Sequence, residues 1–212
     1  MIKSSFHGMK IKINNCEINT RVCGEFNAYN LLATYATCLE LKLNKEKVLN
    51  AISNIVSTEG RFDVINTNNF ISILDYAHTD DALKNVFKAI SKITKRKIVV
   101  VFGCGGNRDK YKRPLMVKVA NEFSDFIIIT SDNPRNESFD DITHDMLSKS
   151  KKDDIKKYVI IKDREQAIKL GCLVAGQQQS VLLVSGKGHE KFQEINGKKI
   201  PFDDRKIIIK YS

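Results

Sequence analysis

Apolar runs and amphipathic stretches alternate along residues 71–185, and this pattern predicts a Rossmann-like α/β fold. Short apolar runs predict buried strands, and stretches with apolar residues at helical spacing predict the helices between them. Strict alternation of strand and helix implies right-handed crossovers, and therefore a mostly parallel sheet with flanking helices. The predicted strands are Ile71–Asp75, Lys97–Phe102, Phe126–Thr130, Tyr158–Ile161 and Val181–Ser185, and the predicted helices are about Asp80–Ile93, Pro114–Phe123, Phe139–Lys149 and Arg164–Ala175.

Near the C-terminus, the pattern becomes that of a β-hairpin. Two short segments of β-like composition, Phe192–Ile195 and Lys199–Phe202, flank the dipeptide Asn196-Gly197. Tight hairpin turns favour Asn-Gly because both residues adopt positive φ readily. We therefore predict an antiparallel hairpin after the last parallel strand.

Residues 1–62 follow a different pattern, which predicts two short β-like segments and then two helices. Asn44 is the predicted N-cap of the second helix, because its side chain can accept a hydrogen bond from the first turn. These elements make an incomplete sheet architecture, so we expect a domain boundary near Gly60–Phe62 and two domains, 1–62 and 63–212. The predicted segments are Lys10–Ile13, Thr20–Val22, Asn27 to about Leu43, and Lys45–Ile55.

The composition of the 212 residues, 42% hydrophobic and 28% charged, is typical of a soluble globular protein. No apolar run is long enough to cross a bilayer, and the first residues lack the apolar core of a signal peptide. We therefore expect a cytoplasmic protein without a membrane partner. The five cysteines include no Cys-x-x-Cys pair, which argues against a zinc site or a disulfide framework, so no metal-binding residue is predicted.

The chain is basic, with a formal net charge of +10. Such an excess could indicate a nucleic-acid partner, but the lysines are spread along the chain and no aromatic residues interleave with them. We therefore expect no nucleic acid. A diffuse positive field also suits small polyanions such as nucleotides.

The residues after the strand Phe126–Thr130 form the most informative polar cluster. Asp132 offers an acceptor, Asn133 a donor and an acceptor, and Arg135 a planar fork that binds carboxylates. Pro134 stiffens the turn. Because ligands of open α/β sheets bind at the carboxyl ends of the strands, this loop suits a zwitterion such as an amino acid. The alternative is an ordinary strand-to-helix turn with a solvated arginine.

Three other predicted strands end in polar or glycine-rich residues at the same edge of the sheet. Gly103–Gly106 resembles a loop that approaches a ligand closely, with a tight turn as the alternative. Gly186–Glu190 places a cation, an imidazole and a carboxylate on one turn, with an exposed turn as the alternative. Asp75 and His78 could hold Mg²⁺ or nucleotide hydroxyls, with an N-cap and a hydrogen-bonded core histidine as the alternatives. Four such clusters on one edge favour a ligand site.

Five motifs follow one another along the chain in an order typical of one known family. They are Asp75-Tyr76-Ala77-His78-Thr79, the ten residues 101–110 (Val-Phe-Gly-Cys-Gly-Gly-Asn-Arg-Asp-Lys), Lys112-Arg113-Pro114-Leu115-Met116, Asp132-Asn133-Pro134-Arg135 and Gly186-Lys187-Gly188-His189-Glu190. In these motifs the chain resembles the Mur ligases, and among them the group that adds diaminopimelate. The resemblance extends from about Gly24 to Arg205, which is nearly the whole chain.

This resemblance implies an ATP-dependent amide ligase of peptidoglycan synthesis. In such ligases ATP phosphorylates the D-glutamate side-chain carboxylate of a UDP-N-acetylmuramoyl-dipeptide. The amine of meso-diaminopimelate then attacks the acyl phosphate, and phosphate leaves. The implied cofactors are ATP and Mg²⁺, and the C-terminal domain of such ligases carries the amino-acid pocket.

The resemblance also implies roles for residues in the matching motifs. Arg135 would pair with the distal carboxylate of diaminopimelate, and Asp132 and Glu190 would favour its ammonium groups. The implied catalytic residues are His78 and Lys187, the implied contacts to diaminopimelate are Arg108, Asp132, Asn133, Pro134, Arg135, Gly186 and Glu190, and the implied nucleotide contacts are Asn30, Arg61 and Asp75.

The chain departs from the family pattern mainly in what it lacks. Its 212 residues contain no Gly-x-x-x-x-Gly-Lys-Ser/Thr motif, the P-loop that holds the phosphates of ATP. Residues 1–62 resemble only the end of the ATP-binding central domain, and residues 63–212 the amino-acid-binding C-terminal domain. ATP and Mg²⁺ would then be bound mainly by a missing N-terminal half, which could be a separate partner. In two smaller departures, Asp80 stands where a proline is usual and Asn107 where an aspartate is usual.

Three expectations follow from the missing half. The chain alone would bind diaminopimelate weakly and would not turn over. The face left by the missing sheet would be apolar and prone to association. The chain would be a split-gene or truncated product of such a ligase.

Two alternative functions stay open. The first is a non-catalytic amino-acid-binding or interaction module that kept the pocket and lost the chemistry. The second is another ligase of the superfamily, such as a folate-polyglutamate type. The Asp132–Arg135 loop and the Gly186–Glu190 motif fit the diaminopimelate-adding group better.

Overall fold

The computed structural model describes residues 1–150 and 158–212. The chain forms two compact units. One contains Met1–Thr58 and Lys88–Lys95, and the other contains Glu59–Phe87 and Arg96–Ser212.

The first unit contains a three-stranded antiparallel sheet and two helices. Strand β2 lies in the centre of the sheet and pairs with β1 and β3. The core of this unit is formed by alternate residues of β2 together with apolar positions of both helices. Its elements are β1 (Lys3–Ser5), β2 (Gly8–Ile13), β3 (Cys16–Thr20), α1 (Glu25–Glu40) and α2 (Lys45–Asn54).

Three predictions in this unit need comment. The predicted strand Thr20–Val22 is wrong, because pairing with β2 places the strand at Cys16–Thr20 instead. Helix α1 ends at Glu40 rather than near Leu43, and Lys42 has the left-handed φ of 59°. The N-cap is confirmed, since the side chain of Asn44 accepts a hydrogen bond of 3.0 Å from the Lys47 amide.

A six-stranded sheet with flanking helices forms the second unit, so the predicted α/β class is confirmed. The strand order is β4-β5-β9-β6-β7-β8, and every neighbouring pair is parallel except β4 with β5. The remaining elements are β4 (Asp63–Asn66), β5 (Ile71–Asp75), α3 (Asp80–Ile93), β6 (Ile98–Phe102), α4 (Lys112–Phe123), β7 (Phe126–Thr130), α5 (Phe139–Leu147), β8 (Tyr158–Ile161), α6 (Arg164–Gln178), β9 (Val181–Ser185), β10 (Phe192–Ile195), β11 (Lys198–Pro201) and α7 (Asp204–Tyr211).

The central strands β6 and β9 are buried along their whole length. Helices cover both faces of a parallel sheet, which is why these strands appear in the sequence as continuous apolar runs. The short edge strand β4 lacks such a run, and the sequence pattern did not predict it. The predicted hairpin is confirmed with a shift of one residue, because the two-residue turn pairs Ile195 directly with Lys198.

The strand order determines where the polar loops lie. The four strands β5, β9, β6 and β7 are consecutive neighbours and run parallel, so their carboxyl ends form one edge. The loop after β9 therefore lies between the loops after β5 and β6. Over residues 1–150 and 158–212, no helix is both long and apolar enough to span a bilayer.

Candidate functional site

The loops after β7 and β9 are joined by a buried hydrogen-bond network of Asn133, Lys187 and Glu190. The Asn133 side-chain amide donates to Glu190 Oε2 at 2.8 Å, and its Oδ1 accepts from Lys187 Nζ at 3.0 Å. Lys187 Nζ also lies 3.1 Å from Glu190 Oε2. The backbone amide of Glu194 donates to the same Asn133 oxygen at 2.9 Å. These bonds fix the orientation of the Asn133 amide and hold the two loops together.

The two residues with an implied catalytic role have very different surroundings. The Lys187 side chain is 0% exposed, and its ammonium group donates hydrogen bonds to Asn133 and Glu190. This arrangement favours a positioning role over direct contact with a substrate. His78 is exposed, and its Nδ1 lies 2.9 Å from the Tyr76 carbonyl oxygen. The alternative of a core histidine is therefore wrong, while the catalytic role of His78 stays a prediction.

Glu190 presents an ionised carboxylate at this network. Burial acts to raise its pKa, but hydrogen bonds from Asn133 and Lys187 outweigh burial and hold the pKa below its ordinary value. Its second oxygen, Oε1, accepts a long hydrogen bond of 3.4 Å from the Tyr76 hydroxyl. Glu190 is only partly buried, so this carboxylate could also receive an ammonium group from a ligand.

Asp132 carries a buried carboxylate oxygen without a partner. Its Oδ1 accepts a hydrogen bond of 2.7 Å from the Asn133 amide, whereas Oδ2 has no hydrogen-bond partner in the described part of the chain. Burial raises the pKa of Asp132, and the cations of Arg164 and Lys187 oppose this rise. A buried acceptor without a partner is unusual in proteins, and it marks a place where a donor such as an ammonium group could bind.

Gly186 lets the β9 loop pass directly beside this carboxylate. Its φ of +110° lies in a region that favours glycine, and a Cβ at this position would lie 2.6 Å from Asp132 Oδ2. Any larger residue would therefore collide with Asp132. The implied role of Gly186 in binding is consistent with this close approach, and it stays a prediction.

Arg135 is linked to the 186–190 loop through Asn133 and makes no direct bond to it. Its Nη1 donates to the Gly106 carbonyl at 2.9 Å and lies 3.5 Å from the Asn133 carbonyl, and its Nε lies 3.2 Å from Glu194 Oε2. The backbone of Arg135 has a φ of 52° and pairs with strand β10. With 21% of its side chain exposed, the guanidinium could exchange Glu194 for the carboxylate of a ligand.

The other two implied contacts to diaminopimelate lie near this loop. Pro134 is buried, and a Cβ on Gly106 would lie 1.9 Å from its carbonyl oxygen, so the β6 and β7 loops are in close contact. Arg108 is exposed at the surface of the β6 loop. Beside Pro134 and Arg135 lies a groove of about 830 Å³, which α5, α6 and β10 also line. Asp132, Asn133 and Glu190 do not line it.

The implied nucleotide contacts are divided between the two units. Asp75 is buried, its oxygens accept bonds of 2.7 Å from the amides of Phe62 and Ala77, and burial raises its pKa. It does not cap α3, because the Thr79 hydroxyl accepts from the first turn of that helix. The guanidinium carbon of Arg61 lies 4.6 Å from the centre of the Tyr76 ring. In the first unit, Asn30 is an exposed residue of α1.

Acidic, histidine and cysteine side chains do not gather in groups of three or more around a possible metal position in residues 1–150 and 158–212. For ATP, the exposed Arg61 beside Tyr76 offers a cation and an aromatic face.

Sequence reasoning missed two buried arginines that support the loops. The Arg113 side chain is 0% exposed and bonds Glu137 at 2.9 Å and Asp145 at 2.7 Å. This pairing lowers the pKa of Glu137 to about 2. The Arg164 side chain forms a fully buried pair with Asp204. Their partners are 24 to 40 residues away along the chain, and only the fold brings them together.

Residues 60–188 match the family model described as "Mur ligase, glutamate ligase domain". Among curated relatives, the UDP-N-acetylmuramoyl-L-alanyl-D-glutamate–2,6-diaminopimelate ligase of Cytophaga hutchinsonii is 46% identical over 210 residues, covering 98% of this chain and 43% of that protein. The ligase of the same name from Aquifex aeolicus is 41% identical over 210 residues, covering 97% and 43%. The chain thus spans less than half the length of these relatives.

Two solved structures are also similar to the chain. A structure of a UDP-N-acetylmuramoyl-L-alanyl-D-glutamate–2,6-diaminopimelate ligase superposes with a TM-score of 0.71 at 32% identity, over 98% of this chain and 43% of that one. A folylpolyglutamate synthase from Thermotoga maritima superposes with a TM-score of 0.66 at 17% identity, over 87% and 42%. The second likeness concerns the fold alone.

Proposed function

Because this chain belongs to the Mur ligase family, we propose that it is the C-terminal, amino-acid-binding part of an ATP-dependent ligase. The ligase would add meso-diaminopimelate to UDP-N-acetylmuramoyl-L-alanyl-D-glutamate in peptidoglycan synthesis. Relatives whose names state this activity match 97–98% of the chain. The proposed domains are a remnant of the ATP-binding central domain in residues 1–62 and the amino-acid-binding domain in residues 63–212.

The observation that carries this proposal is the unpaired, buried oxygen of Asp132 beside the ionised Glu190. Two acceptors at the joined ends of β7 and β9 suit the ammonium groups of an amino acid with two amines. Arg135 adds a partly exposed cation on the same loop, which suits a carboxylate. Diaminopimelate has both kinds of group at both of its ends.

We assign the roles within the pocket accordingly. Asp132 and Glu190 receive ammonium groups, and Arg135 exchanges Glu194 for the distal carboxylate of diaminopimelate. Arg108 and Pro134 shape the remaining wall of the pocket, and Gly186 allows its loop to approach Asp132. Lys187 holds Asn133 and Glu190 in place through hydrogen bonds from its ammonium group.

In the second unit, Arg61 and Asp75 would contact the nucleotide, while its phosphates and Mg²⁺ would bind to another half of the ligase. The nucleotide contact of Asn30, in the first unit, stays a separate prediction. Bound ATP would supply the phosphoryl group that activates the D-glutamate carboxylate. Most of the catalysis in phosphoryl transfer is electrostatic stabilisation of the transferring group. Since the 212 residues contain no P-loop, this stabilisation must come from elsewhere.

Substitution of Asp132 tests the pocket directly. In NMR titrations of the ¹⁵N-labelled chain with meso-diaminopimelate, Asp132→Asn should weaken binding by about tenfold or more, because it removes a charge-assisted hydrogen bond worth about 1.5–3 kcal/mol. Asp81→Asn, an exposed change in the first turn of α3, is the matched control and should leave binding unchanged. Equal affinities for both variants would refute the proposed pocket.

Activity assays test whether phosphoryl transfer requires a separate N-terminal half. The purified chain should release no phosphate from ATP in the presence of both substrates, because it lacks a phosphate cradle. Addition of an N-terminal half that bears the P-loop should restore ligation in trans. Substrate-dependent phosphate release by the chain alone would contradict the proposal. Binding of diaminopimelate without ligation in the mixture would favour the alternative of a non-catalytic module.

A further inference from the structure

Arg164, the first residue of α6, makes a buried ion pair that ties two helices together. Its Nε donates to Asp204 Oδ1 at 2.8 Å, and its Nη2 donates to Asp204 Oδ2 at 2.7 Å. Both side chains are 0% exposed. Asp204 is the first residue of α7, so the pair joins α6 to the last helix of the chain with a bidentate, planar geometry.

The same guanidinium also holds the backbone at the start of both pocket loops. Its Nη1 lies 3.3 Å from the carbonyl oxygen of Ser131, and its Nη2 lies 3.1 Å from that of Ser185. Ser131 directly precedes Asp132, and Ser185 directly precedes Gly186. One buried cation therefore bonds the ends of both strands that carry the proposed ligand contacts.

We propose that Arg164 is a positioning residue of the diaminopimelate pocket, and that Asp204 orients it from α7. This inference rests on the proposed function and extends it to two residues outside the loop motifs. Its basis is the single guanidinium that bridges Ser131, Ser185 and Asp204.

Because the two loops are in close contact, a small shift of either one would change the geometry of the proposed site. A Cβ on Gly186 would lie only 2.6 Å from Asp132 Oδ2, so the backbone of the β9 loop passes close to this carboxylate. Displacements of about 1 Å in a site can reduce its efficiency by about a hundredfold. Arg164 also favours the charged form of Asp132, together with Lys187, while Glu190 opposes it. The cation thus supports both the position and the charge of the proposed ammonium acceptor.

Fold stability alone does not account for this pair. A buried ion pair costs several kcal/mol of desolvation, and apolar residues of similar volume often replace one without loss of stability. Removal of only one partner is strongly destabilising, because it leaves a buried charge. A variant that replaces both partners therefore separates the stabilising effect of the pair from its effect on the pocket.

The test compares Arg164→Met/Asp204→Leu with Glu165→Gln/Lys210→Met. The control pair also joins α6 to α7, through an exposed bond of 2.8 Å beside the buried one. Both double variants should melt near the wild-type temperature. Only the buried-pair variant should bind meso-diaminopimelate about tenfold or more weakly, and only in this variant should the amides of Asn133 and Gly186 exchange hydrogen faster.

The outcomes are distinct. Wild-type affinity and wild-type exchange rates in the buried-pair variant would overturn the inference. If the wild-type chain binds no diaminopimelate, the proposed function fails, and the exchange rates alone decide whether Arg164 positions the loops. If the double variant does not fold, Arg164→Lys replaces it, because lysine keeps the charge and loses the planar fork. Faster exchange at Asn133 and Gly186 in this folded variant supports the inference, and unchanged exchange overturns it.

Discussion

At the scale of single residues, the sequence indicated candidate side chains for a ligand site but not which of them bond to each other. Asp132, Asn133 and Glu190 were predictable, because polar residues after apolar strands are informative by type and position. The partners of Lys187 were not predictable. Its burial depends on the position of β9 beside β6, which is a long-range property of the fold. The catalytic role implied for Lys187 stays a prediction, and its ammonium group bonds Asn133 and Glu190 in the described structure.

Glu137 provides a pH-dependent test at this scale. Its pKa falls from an ordinary 4.5 to about 2, chiefly through the hydrogen bonds from Arg113. A group with a depressed folded pKa contributes stability above its unfolded pKa and loses that contribution as the pH falls through the folded value. At neutral pH, the free energy of unfolding of the wild type should therefore be about 1–2 kcal/mol larger than that of Glu137→Gln. This difference should disappear as the pH falls from 4.5 to about 2.

Urea unfolding at several pH values measures this difference. Glu122→Gln, an exposed change on α4, is the control and should give the same small effect at every pH. A gap between wild type and Glu137→Gln that stays constant down to about pH 2 would show that the pairing with Arg113 does not lower the pKa of Glu137.

At the scale of elements, apolar runs predicted all five parallel strands, and four of them have the predicted bounds. Buried parallel strands are readable because both of their faces are apolar. The short strands β1 and β4 were missed, since their residues Lys-Ser-Ser and Asp-Val-Ile-Asn do not form an apolar run of the kind that predicts β8. The sequence pattern also could not predict the strand order. β9 is the last of the parallel strands in the chain, yet it lies between β5 and β6 in the sheet.

Two glycines with positive φ allow a paired test of the β9 loop. Gly186→Ala and Gly197→Ala both place a side chain at a left-handed φ, +110° and +72°, which costs about 1 kcal/mol. A Cβ at 197 meets nothing within 4 Å, whereas one at 186 collides with Asp132. Gly186→Ala should therefore lower the melting temperature further and abolish binding of diaminopimelate. Equal effects of the two substitutions on melting and binding would contradict the close approach of the loops.

At the scale of the whole molecule, the chain spans less than half the length of the diaminopimelate ligases that it resembles. Its 212 residues carry a pocket with acceptors and a guanidinium, and they carry no phosphate-binding loop. The mostly parallel sheet was predictable from strand and helix alternation. The proposed functional division rests on the motifs, because composition and net charge do not distinguish a ligase half from other globular domains. The expected apolar face in the first unit stays a prediction, although that unit exposes Tyr29, Leu32, Leu41 and Leu43.

The central claim is that the pocket selects a ligand with two amines and two carboxylates. The most direct measurement is a competitive NMR titration of the ¹⁵N-labelled chain with meso-diaminopimelate, L-lysine and D-glutamate. Lysine lacks the distal carboxylate proposed for Arg135, and glutamate lacks the second amine proposed for Asp132 and Glu190. We expect meso-diaminopimelate to displace both competitors and to shift the resonances of residues 132–135 and 186–190. Tighter binding of L-lysine, or shifts confined to other parts of the chain, would contradict it.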